Sequence, residues 1–174
     1  MELEIVSSGG LWNGNVVELS KRFTMRPKSP RVAVRAIIVE DGRLLMVNAW
    51  PDGRSPLMCA PGGGVEVGSS LPDNLTREVF EETGLSIAVG APCLVNEFHD
   101  PDSGYHQIDL FFRCTVQQHS NRPTSWTDTE NIVTDRRWLT RDALATTPHK
   151  PDSLAQVAFG GDGITYDPLE VLVN

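Results

Sequence analysis

The 174-residue chain predicts an α/β sandwich around a mixed β-sheet, and three observations carry the prediction. β-rich runs recur along it: "VAVRAIIVEDGRLLMV", "LSIAVGAPCLVNEF", "YHQIDLFFRCTV" and "NIVTDRRWL". A long helical segment, 70–83, and a short one, "RDALAT", fall between those runs. A hairpin sits within the first run, while helices and loops separate the others, so the sheet mixes pairing directions.

Taken in order, "WNG" at 12–14 suits a hairpin turn, and "MRPKSP" reads as a connector. Asp41-Gly42 then joins two strands, because that dipeptide accepts the left-handed dihedrals of a tight turn. "NAWPDGRSP" is a loop, and "LMCAPGGGVEV" is a short strand entering a glycine-rich turn. Residues 70–83 form the helix, with Ser69 or Ser70 as its cap and Gly84 just past its end. "HDPDSG" reads as a loop. In the strand after it, Gln107, Asp109, Phe111 and Arg113 alternate with an apolar row. Thr140 caps the short helix. The tail is punctuated by proline and glycine and has no regular period.

The length fits one domain over 1–174, with 1–30 an N-terminal extension or extra strands and 147–174 the tail. A formal charge of −8 argues against a nucleic-acid coat or an anionic-membrane binder. An anionic small substrate stays compatible if positive charge is supplied locally. No run approaches the ~18 apolar residues of a membrane helix, and the start lacks a signal-peptide pattern. Cys59, Cys93 and Cys114 are odd in number and form no CxxC pair, so they read as reduced core thiols of a cytoplasmic protein. Oligomeric state is open, with a homodimer compatible.

The acidic helix carries the functional signal. Glu78, Glu81 and Glu82 are spaced i+3 and i+4, so a helix puts their carboxylates on one face. Most such clusters are solvated faces, and Arg77 with Glu81 makes an ordinary i,i+4 pair. Placement argues otherwise: Leu71, Leu75 and Val79 form an apolar stripe, Glu82 falls inside it, and Glu78 lies about 20° outside its edge. Like charges beside a core call for a cation. Hard oxygens without nearby histidine or cysteine select Mg²⁺ first and Mn²⁺ next. Upstream, "PGGGVEVG" offers a backbone that a ligand approaches closely at Gly63 and Gly64.

Gly63-x5-Ser69-x7-Arg77-Glu78-Val79-x-Glu81-Glu82-x-Gly84-Leu85 resembles the Nudix box, G-x5-E-x7-R-E-U-x-E-E-x-G-U, with U aliphatic. Eight of nine constrained positions match, and the strand order fits the family from about residue 31 to 146. The resemblance implies an α/β/α sandwich. It also implies divalent-metal-dependent hydrolysis of a nucleoside diphosphate linked to another group, X. By position it makes Glu81 and Glu82 metal ligands and Glu78 either a ligand or the group that deprotonates water. Arg77 would orient Glu78, and the Gly62 carbonyl would complete a coordination sphere. One position departs: Ser69 stands where the box has its first glutamate, with Glu66 three residues earlier as a substitute for the lost charge.

Members of this family often recruit a further acid from a later loop. Glu130 is the choice, with Asp128, Asp135 and Glu97 as alternatives. Arg35 interrupts an apolar run and must reach a cleft, pair with an acid or snorkel; a phosphate contact suits its planar fork. Trp50, Tyr105 and Phe111 offer stacking surfaces, although scattered aromatics are more often core. His99 and His106 read as structural. The leading expectation is a hydrolase splitting a phosphoanhydride in a nucleotide-type substrate. Its rivals are a non-catalytic Nudix-fold module binding nucleotides or a protein, and a domain whose acidic helix is merely solvated. X is open among a nucleoside triphosphate, a nucleotide sugar, a dinucleoside polyphosphate and ADP-ribose.

Overall fold

A computed structural model describes residues 29–117, 126–128 and 131–172. The "WNG" hairpin, most of the connector and Glu130 lie outside those residues. β1 (Arg31–Glu40) and β2 (Arg43–Asn48) form the expected hairpin, with Asp41 at φ 48° and Gly42 at φ 71°. β3 (Met58–Cys59) is short. α1 spans Leu71–Thr83, followed by β4 (Ile87–Asp100) and β5 (Tyr105–Val116). β6 (Arg136–Thr140) leads into α2 (Arg141–Ala145), and α3 (Leu154–Phe159) and β7 (Thr165–Val171) complete the fold.

Among the described residues, the strands make one seven-stranded sheet in the order β3-β2-β1-β5-β4-β7, with β6 on the other edge of β2. β1 runs parallel to β5, and β7 parallel to β4; the remaining pairs are antiparallel. Apolar residues cover both faces. Val34, Ala36, Ile38, Phe112 and Cys114 pack with Leu75 and Val79 of α1. Ile37, Leu44, Met46 and Phe111 pack with Leu144 of α2 and Leu154 and Val157 of α3. Helices on both faces make the α/β/α sandwich.

Three boundaries differ from the sequence expectation. His99 and Asp100 extend β4, pairing with His106 and Tyr105, because a tight turn closed by Gly104 N–H to the Asp100 carbonyl replaces the longer loop. Residues 131–135 are not strand. Asp128 Oδ2 accepts the Ile132 and Val133 N–H groups and Asn48 Oδ1 those of Thr134 and Asp135, so side chains satisfy donors that a ladder would use. The tail supplies α3 and β7.

Candidate functional site

The site begins where the sheet opens. β2 holds β1 only at the hairpin end, through Val39–Leu44 and Glu40–Arg43, and holds β3 at its other end. From β3 the chain crosses to β1 as the glycine loop. Pro61 and Gly63 carbonyls accept Ala36 and Val34 N–H at 2.8 and 2.9 Å, and Val65 N–H reaches the Val32 carbonyl at 3.0 Å. Gly62 adopts φ 137°, and a Cβ there would lie 2.1 Å from the Val34 carbonyl oxygen. Only glycine fits so close to a neighbouring backbone.

α1 is anchored against this loop. Ser70 Oγ accepts the Asp73 N–H, and Gly84, left-handed at φ 72°, ends the helix. Ser70 is therefore the cap, and Ser69 lies exposed in the turn before it. Buried Asn74 accepts the Glu66 N–H at 2.9 Å and donates to the Ser70 carbonyl at 2.7 Å, tying the loop to the first turn. The Gly62 N–H donates to Glu82 Oε2 at 2.8 Å. A Cβ on Gly63 would fall 2.3 Å from Glu78 Oε2. The loop and the two carboxylates thus occupy one packed contact.

Arg77 gathers the other acids. Its guanidinium lies 2.7 Å from Glu78 Oε1, 2.8 Å from Glu81 Oε2 and 3.5 Å from Glu66 Oε1. Glu66 therefore joins the cluster despite the serine at 69. Burial, reinforced by Glu78 and Asp128, pushes the Glu82 carboxyl up to about 7, against the opposing pull of Arg35 and the Gly62 N–H. As they stand, no three acidic, histidine or cysteine side chains among the described residues converge on one point. The donor chemistry nonetheless fits a hard divalent ion: all the donors are carboxylates, and the cluster holds an excess of negative charge in a half-buried position.

A cleft of about 700 Å³ opens beside the loop, lined in part by Glu66, Arg77, Glu78 and Glu82. Glu81 does not line it. Arg35 does, but its side chain is engaged: Nε lies 3.5 Å from Asp109 Oδ2, and Nη1 donates to the Gly62 carbonyl. Although burial opposes its charge, Asp109 and the other groups around it, Glu82 among them, together raise the pKa. Trp50 and Tyr105 line the cleft as well, and Phe111 lies buried at its floor. His99 and His106 do not. Among the alternative acids, Asp135 pairs with Arg137, and Glu97 accepts the Tyr166 hydroxyl. Asp128 is buried near Glu82, its Oδ2 spent on backbone N–H groups. No disulfide links the three thiols; Cys59, on the cleft wall, is pushed up to about 11 by burial and stays protonated at neutral pH.

Sequence reasoning missed one whole wall. Lys150, Pro151, Glu170, Val171 and Leu172 line the cleft from the tail, and Lys150 Nζ reaches Glu170 Oε2 at 2.7 Å. The run "ITYDPLEVLV" holds β-forming residues, but Pro168 breaks it. The interruption coincides with a register shift on an edge strand, where a proline is tolerated.

A model of the NUDIX domain matches residues 29–158. The chain belongs to the Nudix family. The Nudix chain is 31% identical over 120 residues to a MutT-like protein of Streptomyces ambofaciens, covering 68% of the one and 70% of the other. It is 34% identical over 83 residues to an ADP-ribose pyrophosphatase of Methanocaldococcus jannaschii, covering 48% and 49%. Its fold is similar to that of a UDP-X diphosphatase, with a TM-score of 0.61 at 23% identity over 84% of this chain and 71% of that one. The chain spans between 37% and 49% of the length of three of the curated relatives it matches. Among the described residues, no helix is long and apolar enough to cross a membrane.

Proposed function

We propose that this Nudix chain is a divalent-metal-dependent hydrolase that splits a phosphoanhydride bond in a nucleoside diphosphate linked to another group. The observation that carries the reading is the contact of the glycine loop with α1. It sets Glu78 against Gly63 and Glu82 under the Gly62 N–H, beside a cleft large enough for a nucleotide. Glu81 and Glu82 would hold Mg²⁺, or Mn²⁺ in its place, with Glu78, the Gly62 carbonyl and Glu130 as further ligands. Nudix hydrolases generally need such ions, and a bound ion supplies acidified water and charge neutralisation at phosphoryl oxygens.

The chain's own residues do the rest. Arg77 orients Glu78, which takes a proton from the attacking water if it is not itself a ligand. Gly63 and Gly64 admit the phosphates close to the backbone, and Arg35, its charge balanced by Asp109, offers guanidinium N–H groups to them as a hydrogen-bond donor. The names of the relatives make ADP-ribose the first compound to try. A panel of ADP-ribose, nucleoside triphosphates, nucleotide sugars and dinucleoside polyphosphates with Mg²⁺, scored for nucleotide, phosphate and pyrophosphate release, tests the reading. Turnover of at least one compound, abolished by chelator, is expected. Tight binding without turnover across the panel would favour the binding-module rival, which Ser69 motivates.

A further inference from the structure

We infer that Arg31 is the anion anchor of the cleft and holds a phosphoryl group of the substrate next to the one engaged at the acidic helix. The inference rests on the nucleotide reading above and names a contact that the box does not supply. Among the described residues, four cations line the cleft: Arg31, Arg35, Arg77 and Lys150. Three are neutralised. Arg35 faces Asp109, Arg77 faces Glu66, Glu78 and Glu81, and Lys150 faces Glu170 and Asp152. Arg31 has no carboxylate partner among the described residues.

It is nevertheless held in place. Nη1 donates to Gln107 Oε1 at 2.7 Å and to the Tyr105 hydroxyl at 3.3 Å. Gln107 is buried, and its amide orientation is fixed at both ends: Oε1 accepts from Arg31 and Tyr105, while Nε2 donates to Asp109 Oδ1 at 2.6 Å. These neutral partners leave the positive charge uncompensated and reduce the side-chain freedom lost on binding an anion. Gln107 thus positions Arg31, and Asp109, shared with Arg35, joins the two arginines in one network.

The glycine loop sets the distance. A Cβ on Gly64 would fall 2.4 Å from Arg31 Nη2, just as one on Gly63 would meet Glu78. Since consecutive Cα atoms lie ~3.8 Å apart, the Arg31 guanidinium and the Glu78 carboxylate are no more than about 12 Å apart across that segment. A diphosphate engaged at the acidic helix has its neighbouring phosphate within reach of Arg31, whose fork suits phosphoryl oxygens.

Isothermal titration of the full chain with inorganic pyrophosphate in Mg²⁺ buffer tests this. Arg31→Gln should weaken binding roughly 10- to 100-fold, the scale of a charged hydrogen bond. Arg31→Lys should recover part of that loss, whereas Arg43→Gln, on the hairpin outside the cleft, should change nothing. Because Arg31 is exposed, the variants should melt with the native protein. With the best compound of the panel, Arg31→Gln should raise KM by a similar factor and leave kcat within a few-fold. Equal pyrophosphate affinity in native and Arg31→Gln protein, or no binding by the native chain, would overturn the inference. Arg31-dependent binding in a chain that hydrolyses nothing would uphold it while removing the proposed hydrolase activity.

Discussion

Glu82 is the residue on which the metal reading turns, since its carboxylate is half-buried, accepts the Gly62 N–H and crowds against Glu78 and Asp128. Glu82→Gln keeps size and helix propensity and removes the charge. Divalent-ion affinity measured by titration calorimetry should fall together with turnover, and unchanged affinity would refute the assignment. Glu78→Gln separates two roles: as general base it should lose roughly 10²–10⁴-fold in turnover with metal affinity retained. As a ligand it should lose both. Ser69 is exposed, and Glu66 already reaches Arg77. Compensation of this kind predicts that Ser69→Glu changes turnover less than tenfold, about 1.4 kcal/mol in barrier height. A native protein without turnover that Ser69→Glu activates would show that no such compensation exists.

At the scale of elements, the glycine loop separates architecture from chemistry in adjacent residues. Gly62→Ala forces a Cβ onto the backbone of β1 and imposes a left-handed φ on an alanine. It should lower the melting temperature by several degrees. Gly63→Ala brings its new Cβ nearest to the carboxylate end of the Glu78 side chain, not to backbone, and a side-chain end can shift more cheaply. Its melting point should stay near native while turnover drops, and equal melting losses in both variants would refute the distinction. Local rules explain why some elements were legible in the sequence. The Asp41-Gly42 turn, the bounds of α1 and the cap at Thr140 each depend on residues within a few positions. So does the alternation of β5, although its polar row proved to be cleft floor at Gln107 and Asp109. The engagement of Arg35 by Asp109, 74 residues away, and the hold of Asn48 on 132–135 depend on tertiary approach. No local pattern encodes them.

For the whole molecule, the question is what β7 contributes, since neither core cluster contains any of its residues. It pairs with β4 through five register positions, and its Glu170 holds Lys150 at 2.7 Å and Asn96 at 3.4 Å. With Val171 and Leu172 it forms the cleft wall that the family match, ending at 158, does not reach. A chain ending at Gly163 keeps both apolar clusters, α1 and the glycine loop, so it should fold with a lowered melting temperature. It should also expose the edge of β4, a template for pairing between copies, and associate more at high concentration. Because the acidic helix is untouched, the loss should appear as a KM raised roughly tenfold, worth about 1.4 kcal/mol of binding, with kcat changed far less. Steady-state kinetics on the shortened chain, paired with light scattering, measures both effects. If kcat collapsed while KM held, β7 would be supporting the acidic helix rather than walling the cleft.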